Sequence, residues 1–449
     1  MARPAVSAPD VRGTVRAAAP PLGFAAAIAI VLGNMIGSGV FTLPAALAPY
    51  GGLSFAGWIV SAAGSLMLAL VFARLARRNP AAGGPYAYTR AAFGDLAGFV
   101  VAWSYWLSIW AADAALAVAF VGYLDPFIPG IVRQPPLASA LAIGLVWLLT
   151  AVNARGVREA GQVQVVTTTL KVLPLIVIGV AGLAVLQPSH FAVPVQGAGP
   201  IVSSTMAVVT LTLWAFLGVE CATIPATSVR DPSRTIPRAT VAGTLIAAVL
   251  YVVSTAGVMG TLAPDVLGQT PAPFAEAARV LFGGLAAQLV AIGAAISCLG
   301  ALNGWILMAG QLPLAIAQDG LFPRAFAVVS RRGTPVGGLI IAAVLSSVLI
   351  ASNYSRSLVA LFTFIILLAT LGTLVPYVCC SLAALLERDG GAPAPRRTGA
   401  TLIAAAAFVY SIVAIAGAGT QVLLLGAASM VIGLPIYAWM HRRPRSLQP

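Results

Sequence analysis

Twelve stretches of this chain are apolar enough and long enough to cross a bilayer, and the segments between them are too short for a separate water-soluble domain. A window of about 19 residues places them near 22–49, 53–75, 97–124, 137–154, 160–186, 201–224, 239–262, 284–316, 336–352, 357–386, 399–417 and 420–441. In hydrocarbon every backbone N–H and C=O must find a partner inside the protein, so runs of this length read as helices. The eighth exceeds one straight crossing and is expected to tilt or to continue past the membrane. Composition agrees: 60% of residues are hydrophobic and 8% are charged, which no water-soluble fold matches. The expected architecture is an all-α polytopic membrane protein. A cytoplasmic arm spans 1–21, helices 1–10 span 22–386, a cytoplasmic loop spans 387–398, helices 11–12 span 399–441 and a tail spans 442–449.

The basic residues orient this bundle. Of twenty-four arginines, twenty-one fall before the first span, after the last, or in every second loop, and three (Arg133, Arg279, Arg356) fall on the other side. That asymmetry predicts cytoplasmic termini in the inner membrane. It also accounts for the net charge of +13 without a nucleic-acid partner, since no basic tract with interleaved aromatics is present. Cys221, Cys298, Cys379 and Cys380 all lie in apolar spans and have neither zinc-ligand nor disulfide-framework spacing. No Walker A motif, His-x-x-Glu-His pair or Ser/His/Asp set appears, and the two histidines, His190 and His441, sit at predicted membrane edges. No metal, cofactor or enzymatic activity is expected.

The first span is broken near its middle by Gly33-Asn34-Met35-Ile36-Gly37-Ser38-Gly39. Each glycine weakens a helix by roughly 1 kcal/mol relative to alanine. Three in seven residues favour local unwinding, which membrane proteins tolerate where backbone is buried in protein or lines a cavity. The competing reading is close helix packing through small residues. The sixth span carries a second interruption, Trp214-Ala215-Phe216-Leu217-Gly218-Val219-Glu220, followed by Pro225. Two breaks five helices apart fit a pair of five-helix inverted repeats with the binding site between them, and so favour unwinding. A restarting half-helix near Ser38-Gly39 offers N–H groups and a positive dipole end to a carboxylate. The carbonyls that end the preceding half-helix, with those of the sixth-span break, suit an ammonium. Together these groups describe an α-amino acid.

Three ionisable residues lie at bilayer depth: Asp113, Glu220 and Lys171. A charge there costs roughly 2.5–3.5 kcal/mol on insertion scales, which makes each a functional candidate. The structural alternative is an ion pair of Lys171 with one of the acids. Trp214 and Trp305 can cover a cation face-on, or serve as packing and interface residues.

The residues around these breaks resemble the amino acid–polyamine–organocation superfamily. Gly33–Phe41 followed by Leu43-Pro44-Ala45, Gly83-Gly84-Pro85-Tyr86-Ala87-Tyr88, Leu213–Glu220, Gly304-Trp305 with Ala309-Gly310-Gln311, Asp319–Pro323 and Leu374–Tyr377 occur in that family's order. The branch most resembled is that of bacterial basic amino acid/polyamine antiporters, arginine/agmatine antiporters especially. The resemblance implies a LeuT-type 5+5 inverted-repeat fold of twelve helices with helices 1 and 6 broken, and a homodimer through the last two. It implies that Ser38 and Gly39 bind the substrate carboxylate, and that the carbonyls of Ile36, Trp214 and Leu217 take the α-ammonium. Trp305 would stack on the distal cation and Trp214 would cap the substrate. Tyr105 and Tyr377 would gate, and Glu220 would couple gating to protons. This chain has Asp113 where the arginine antiporters have Asn, Ser108 and Ile109 where they have Ala and Cys, and Ala369 for a serine near the guanidinium. Lysine, ornithine and their diamines therefore stand beside arginine as expected substrates. The Gly83-Gly84-Pro85 segment is either a gating element or a plain turn. The alternative function is a proton-coupled permease of broader or neutral specificity; a non-transporting receptor lacks any signalling domain in its favour.

Overall fold

The computed structural model describes residues 22–80, 83–125, 127–192, 201–270, 272–352, 358–386, 388–389, 392–393, 398–417 and 420–441. The arm 1–21, the tail 442–449 and most of the 387–398 loop lie outside the described residues. Among the described residues sixteen α-helices follow one another: α1 (Phe24–Met35), α2 (Gly39–Leu47), α3 (Leu53–Arg78), α4 (Pro85–Phe93), α5 (Asp95–Gly122), α6 (Pro135–Arg155), α7 (Val157–Ala184), α8 (Ile201–Leu213), α9 (Pro232–Thr261), α10 (Pro264–Gln269), α11 (Pro273–Phe282), α12 (Gly284–Gln318), α13 (Val336–Ser352), α14 (Leu358–Leu385), α15 (Thr398–Gly417) and α16 (Thr420–His441). The only strands among the described residues are two-residue segments at Arg388–Asp389 and Ala392–Pro393, paired antiparallel. Ten of the expected spans are long and apolar enough to cross a membrane, and the ninth and twelfth appear as shorter apolar helices.

The packing has the symmetry of a five-helix repeat. Spans 2 and 7 (α3 and α9) pack together, as do spans 3 and 8 (α5 and α12). Span 3 packs on span 10 (α14), and its counterpart five helices on, span 8, packs on span 5 (α7). Helix α7 shows how sequence decides the facing. Val166, Leu170, Leu173, Val177 and Val180 recur at helical spacing and are exposed, whereas Lys171, Leu175 and Ile178 on the other side are fully buried. An exposed stripe of valine and leucine is stable only against lipid, so the buried polar face belongs to the bundle interior.

Two features of the spans matter for the site: the course of the sixth, which differs from the sequence reading, and the length of the eighth, which agrees with it. The sixth span is α-helical only to Leu213; 3₁₀ turns follow at Trp214–Phe216, Cys221–Thr223 and Ala226–Ser228. Gly218 at φ +105° and Pro225, which has no N–H to donate, prevent the helix from resuming. The eighth span is one helix of 35 residues despite Pro313, about 50 Å long against a hydrocarbon core of about 30 Å. Short helices α4, α10 and α11, unseen in the hydropathy pattern, fill the ends of the bundle.

Candidate functional site

The first break is a gap of three residues. Helix α1 stops at Met35, Ile36 turns out of helical conformation at φ −79°, ψ 86°, and α2 restarts at Gly39. The freed carbonyls are held from two sides. Lys171 Nζ on α7 donates to Gly33 O and Ile36 O, each at 2.5 Å. Ser297 Oγ on α12 lies 3.2 Å from Ile36 O and 3.1 Å from Gly37 O. Trp305 Nε1 donates to Asn34 O at 3.3 Å. Lys171 therefore forms no ion pair with Asp113 or Glu220; the carbonyl that the resemblance assigned to a substrate ammonium instead receives Lys171. Hydrogen bonds from a charged donor are worth about 1.5–3 kcal/mol each, so this side chain is a major brace of the break. Sequence showed Lys171 at depth but not its target, because carbonyl acceptors leave no mark in side-chain identity.

The opposite end of the gap is open. The first amides of α2 have no acceptor within the helix. Ser38 is fully buried, yet its Oγ has no hydrogen-bond partner among the described residues. Trp214 lies directly over this end: a Cβ added to Gly39 would sit 2.7 Å from Trp214 Cδ1. Glycine is required there for close approach.

The second break is tied to the first. A Cβ on Gly218 would come within 3.1 Å of Asn34 Cβ, so the second break rests against the last turn of α1 beside the first. Among the carbonyls assigned to an ammonium, Trp214 O accepts Leu217 N at 3.3 Å, whereas Leu217 O receives no hydrogen bond from the described residues. Glu220 is fully buried and takes one tyrosine on each carboxylate oxygen: Tyr105 OH on Oε1 and Tyr377 OH on Oε2, the latter at 2.5 Å. The structure thus brings together the three residues grouped as gating elements, from α5, α14 and the sixth-span break.

Between the breaks lies a small cavity lined by Met35, Gly37, Ser38, Gly39, Ser108, Trp214, Leu217, Trp305, Ala369 and Thr373, among others. Its volume is about 20 Å³, the space of roughly one water. In this conformation the site is closed, and a substrate enters only when helices separate. Seven of the ten expected substrate-contact positions line the cavity; Ile36 does not, and its carbonyl is taken by Lys171 and Ser297. Ile109 and Asp113 are buried on α5 but do not line the cavity. Asp113 Oδ1 has no partner among the described residues. Thr373, missed in the sequence, sits one turn beyond Ala369 and donates to Ser108 Oγ at 3.1 Å.

A second cluster closes the arginine-rich end. Arg90 Nε meets Asp95 at 2.7 Å, Arg90 Nη1 meets Asp319 Oδ2 at 2.6 Å, and Tyr86 OH donates to the same Oδ2 at 2.7 Å. Burial, then the hydrogen bond to Asp319, pushes the Tyr86 hydroxyl above its ordinary range, so it remains a donor. The Gly83-Gly84-Pro85 segment is more than a plain turn. Gly83 N donates to Ile224 O at 3.2 Å, and a Cβ on Gly84 would sit 2.3 Å from Thr223 Oγ1. It docks α4 onto the end of the broken sixth span.

A family model described as amino acid permease matches residues 22–438. The chain belongs to that family. This permease is 34% identical to the putative arginine/ornithine antiporter of Bacillus subtilis (strain 168), over 94% of its own length and 97% of the relative's. It is 35% identical to the cadaverine/lysine antiporter of Escherichia coli (strain K12) over 73% of each chain. It is 30% identical to the putrescine transporter PotE of the same strain, over 91% of its own length and 94% of the relative's. These relatives place it in the basic amino acid/polyamine antiporter branch. Among solved structures it is similar to a manganese transporter of Eremococcus coleocola at a TM-score of 0.59 and 14% identity, with 93% of both chains covered. That likeness concerns the fold alone, and it agrees with the LeuT-type arrangement of the permease.

Proposed function

We propose that the permease is a secondary transporter that exchanges a cationic amino acid (arginine, lysine or ornithine) for its decarboxylated amine by alternating access. The observation that carries this reading is the paired break: the open amide end at Ser38-Gly39 faces the free Leu217 carbonyl across a cavity walled by Trp214 and Trp305. Ser38 and Gly39 take the carboxylate, Leu217 O the ammonium, and Trp305 the distal cation. Trp214 caps the substrate, and Glu220 with Tyr105 and Tyr377 gates it. The names of the relatives, antiporters or transporters of basic amino acids and amines, support the same substrate class. The chain crosses the inner membrane twelve times with both termini in the cytoplasm, as its arginine distribution favours, and the last two helices form a homodimer contact. Exchange of species differing by one charge is worth about 2.3 kcal/mol per 100 mV.

Counterflow in liposomes with radiolabelled arginine, lysine, ornithine and putrescine tests this reading. Exchange of an amino acid against its amine is expected; uptake only into vesicles empty of substrate and driven by a pH gradient would overturn it. One observation favours the second reading, a proton-coupled permease of broader or neutral specificity: no acidic side chain is among the described residues that line the cavity. Asp113→Asn separates the two. Cationic uptake weakens several-fold if Asp113 turns toward the opened cavity, and an unchanged affinity together with counterflow of neutral amino acids would favour the second reading.

A further inference from the structure

Among the described residues, three hydroxyl-bearing side chains line the cavity between the breaks: Ser38 just before α2, Ser108 on α5 and Thr373 on α14. A hydroxyl carries one proton and two lone pairs, so its partners decide what it can offer a ligand. Ser38 Oγ has no partner among the described residues and keeps its proton to give. The other two have theirs committed. Ser108 Oγ donates to Tyr105 O, one turn back on α5, at 2.7 Å. Thr373 Oγ1 has two acceptors at 3.1 Å, Ser108 Oγ and Ala369 O, and a single proton for both. Gly372 permits this arrangement: a Cβ there would lie 2.8 Å from Ser104 O and from Ser108 Cβ, so α14 closes directly on α5. Both hydroxyl-bearing residues are buried.

What Ser108 and Thr373 have left for a ligand is lone pairs alone. The cavity therefore has donors on one side, Ser38 with the first amides of α2, and hydroxyl acceptors on another. We propose that Ser108 and Thr373 receive the N–H groups of the substrate's side chain, and so select a side chain ending in an amine or guanidine over one ending in a carboxylate, carbonyl or hydrocarbon. This rests on the amino acid reading of the cavity, in which α2 takes the carboxylate and Leu217 O the α-ammonium; Ser108 and Thr373 are the hydroxyls then left for the side chain. A carboxylate or carbonyl end meets lone pairs with lone pairs unless Ser108 releases Tyr105 O. A hydrocarbon end leaves buried acceptors bare, which a site built for hydrogen bonding rejects. Selection by acceptors and not by a formal charge is how a cavity with no acid among its described lining residues takes a cation.

Isothermal titration calorimetry on the full chain in detergent tests the proposal without transport. Three amino acids of one carbon skeleton serve as probes: lysine, 6-hydroxynorleucine, which ends in an uncharged O–H, and norleucine, which ends in a methyl. The wild type is expected to bind them in that order, lysine by about tenfold or more over norleucine. Thr373→Val keeps the outline of the side chain and removes the acceptor. Its affinity for lysine and for 6-hydroxynorleucine is expected to fall about tenfold while norleucine holds within about twofold, and Thr373→Ser restores the wild-type order. A uniform loss across the three probes, the mark of a merely structural role, overturns the proposal, as does an unchanged lysine-to-norleucine ratio in the folded valine variant. Ser108→Ala, which only removes atoms, carries the same test where the valine variant does not fold. No preference for lysine over norleucine in the wild type overturns it with no variant needed. A lysine preference that Thr373→Val abolishes, in protein that shows no counterflow, upholds this selection and refutes the exchange reading; counterflow with an unchanged ratio does the reverse.

Discussion

The two broken spans solve the same backbone problem with opposite chemistry. In the first, a helix stops and restarts within three residues, and its orphan carbonyls are held by a cationic side chain and a serine brought from α7 and α12. In the second, no α-helix resumes; 3₁₀ turns carry the chain, and an acid within the break is held by two tyrosines from α5 and α14. The first is braced at one end and open at the other, as a fixed recognition element requires. The second is bound through side chains that hydrogen-bond across three elements, which can part together when those elements move. Under the proposed function, recognition and gating are divided between the two halves of the repeat.

The strongest test of that division is Lys171→Met. It strips Gly33 O of its donor, at about 1–3 kcal/mol for a buried orphan, and leaves Ile36 O only Ser297 Oγ. Exchange should vanish and the thermal midpoint in detergent should fall. Lys171→Arg should not restore exchange, because a planar guanidinium presents its donors in a rigid fork. Wild-type exchange by the methionine variant would mean that the first break needs no brace. Next in size is Glu220→Ala, which strands the Tyr105 and Tyr377 hydroxyls; Glu220→Gln keeps one acceptor and turns an N–H donor toward the other tyrosine oxygen, and should lose less stability. Equal losses in the two, read by unfolding curves, would show that the volume and amide kept by glutamine contribute nothing and that the carboxylate itself is required.

A smaller and more local effect is expected at Gly39→Ala. The new Cβ pushes on Trp214 from 2.7 Å, an overpacking worth about 1–3 kcal/mol. Substrate KM should rise by about tenfold or more while the fold holds; an unchanged KM would detach Trp214 from the site. The smallest effect belongs to Arg90→Gln. Its ion pairs are a third exposed, so their loss is worth about 0–1 kcal/mol. A cysteine placed at Ala87 should then react with a water-soluble thiol reagent up to about fivefold faster, and an unaltered rate would deny the cluster any role in closing that end.

How much of this was legible in the sequence follows from what each feature depends on. The spans were readable because hydropathy in a bilayer is a one-dimensional signal, and Gly37-Ser38-Gly39 because glycine announces its own backbone freedom. The grouping of Glu220 with Tyr105 and Tyr377 came from family resemblance, and their contact joins residues 115 and 157 positions apart. What remained hidden depends on backbone atoms or on facing. Lys171 looked like one half of an ion pair because only side chains can be matched by eye, whereas its partners are carbonyls freed by a break elsewhere. Asp113 was placed at depth correctly, but its neighbour Ala112 lines the cavity in its stead, a difference of one residue on a helix. The 3₁₀ course of the sixth span after Leu213 follows from Gly218 and Pro225 acting jointly, which a window average smooths away.

Helix α12 carries Ser297 against the first break, Trp305 in the cavity wall, and at its end Asp319 in the Arg90 cluster. These residues lie on one continuous rod, with about 33 Å between the first and the last. A rod of that length is a lever. Pivoting it by about 10° around Ser297 displaces Asp319 by about 6 Å, more than twice the 2.6 Å that separates it from Arg90. A small adjustment where a substrate would rest is thus magnified into the parting of an ion pair at the far end of the molecule.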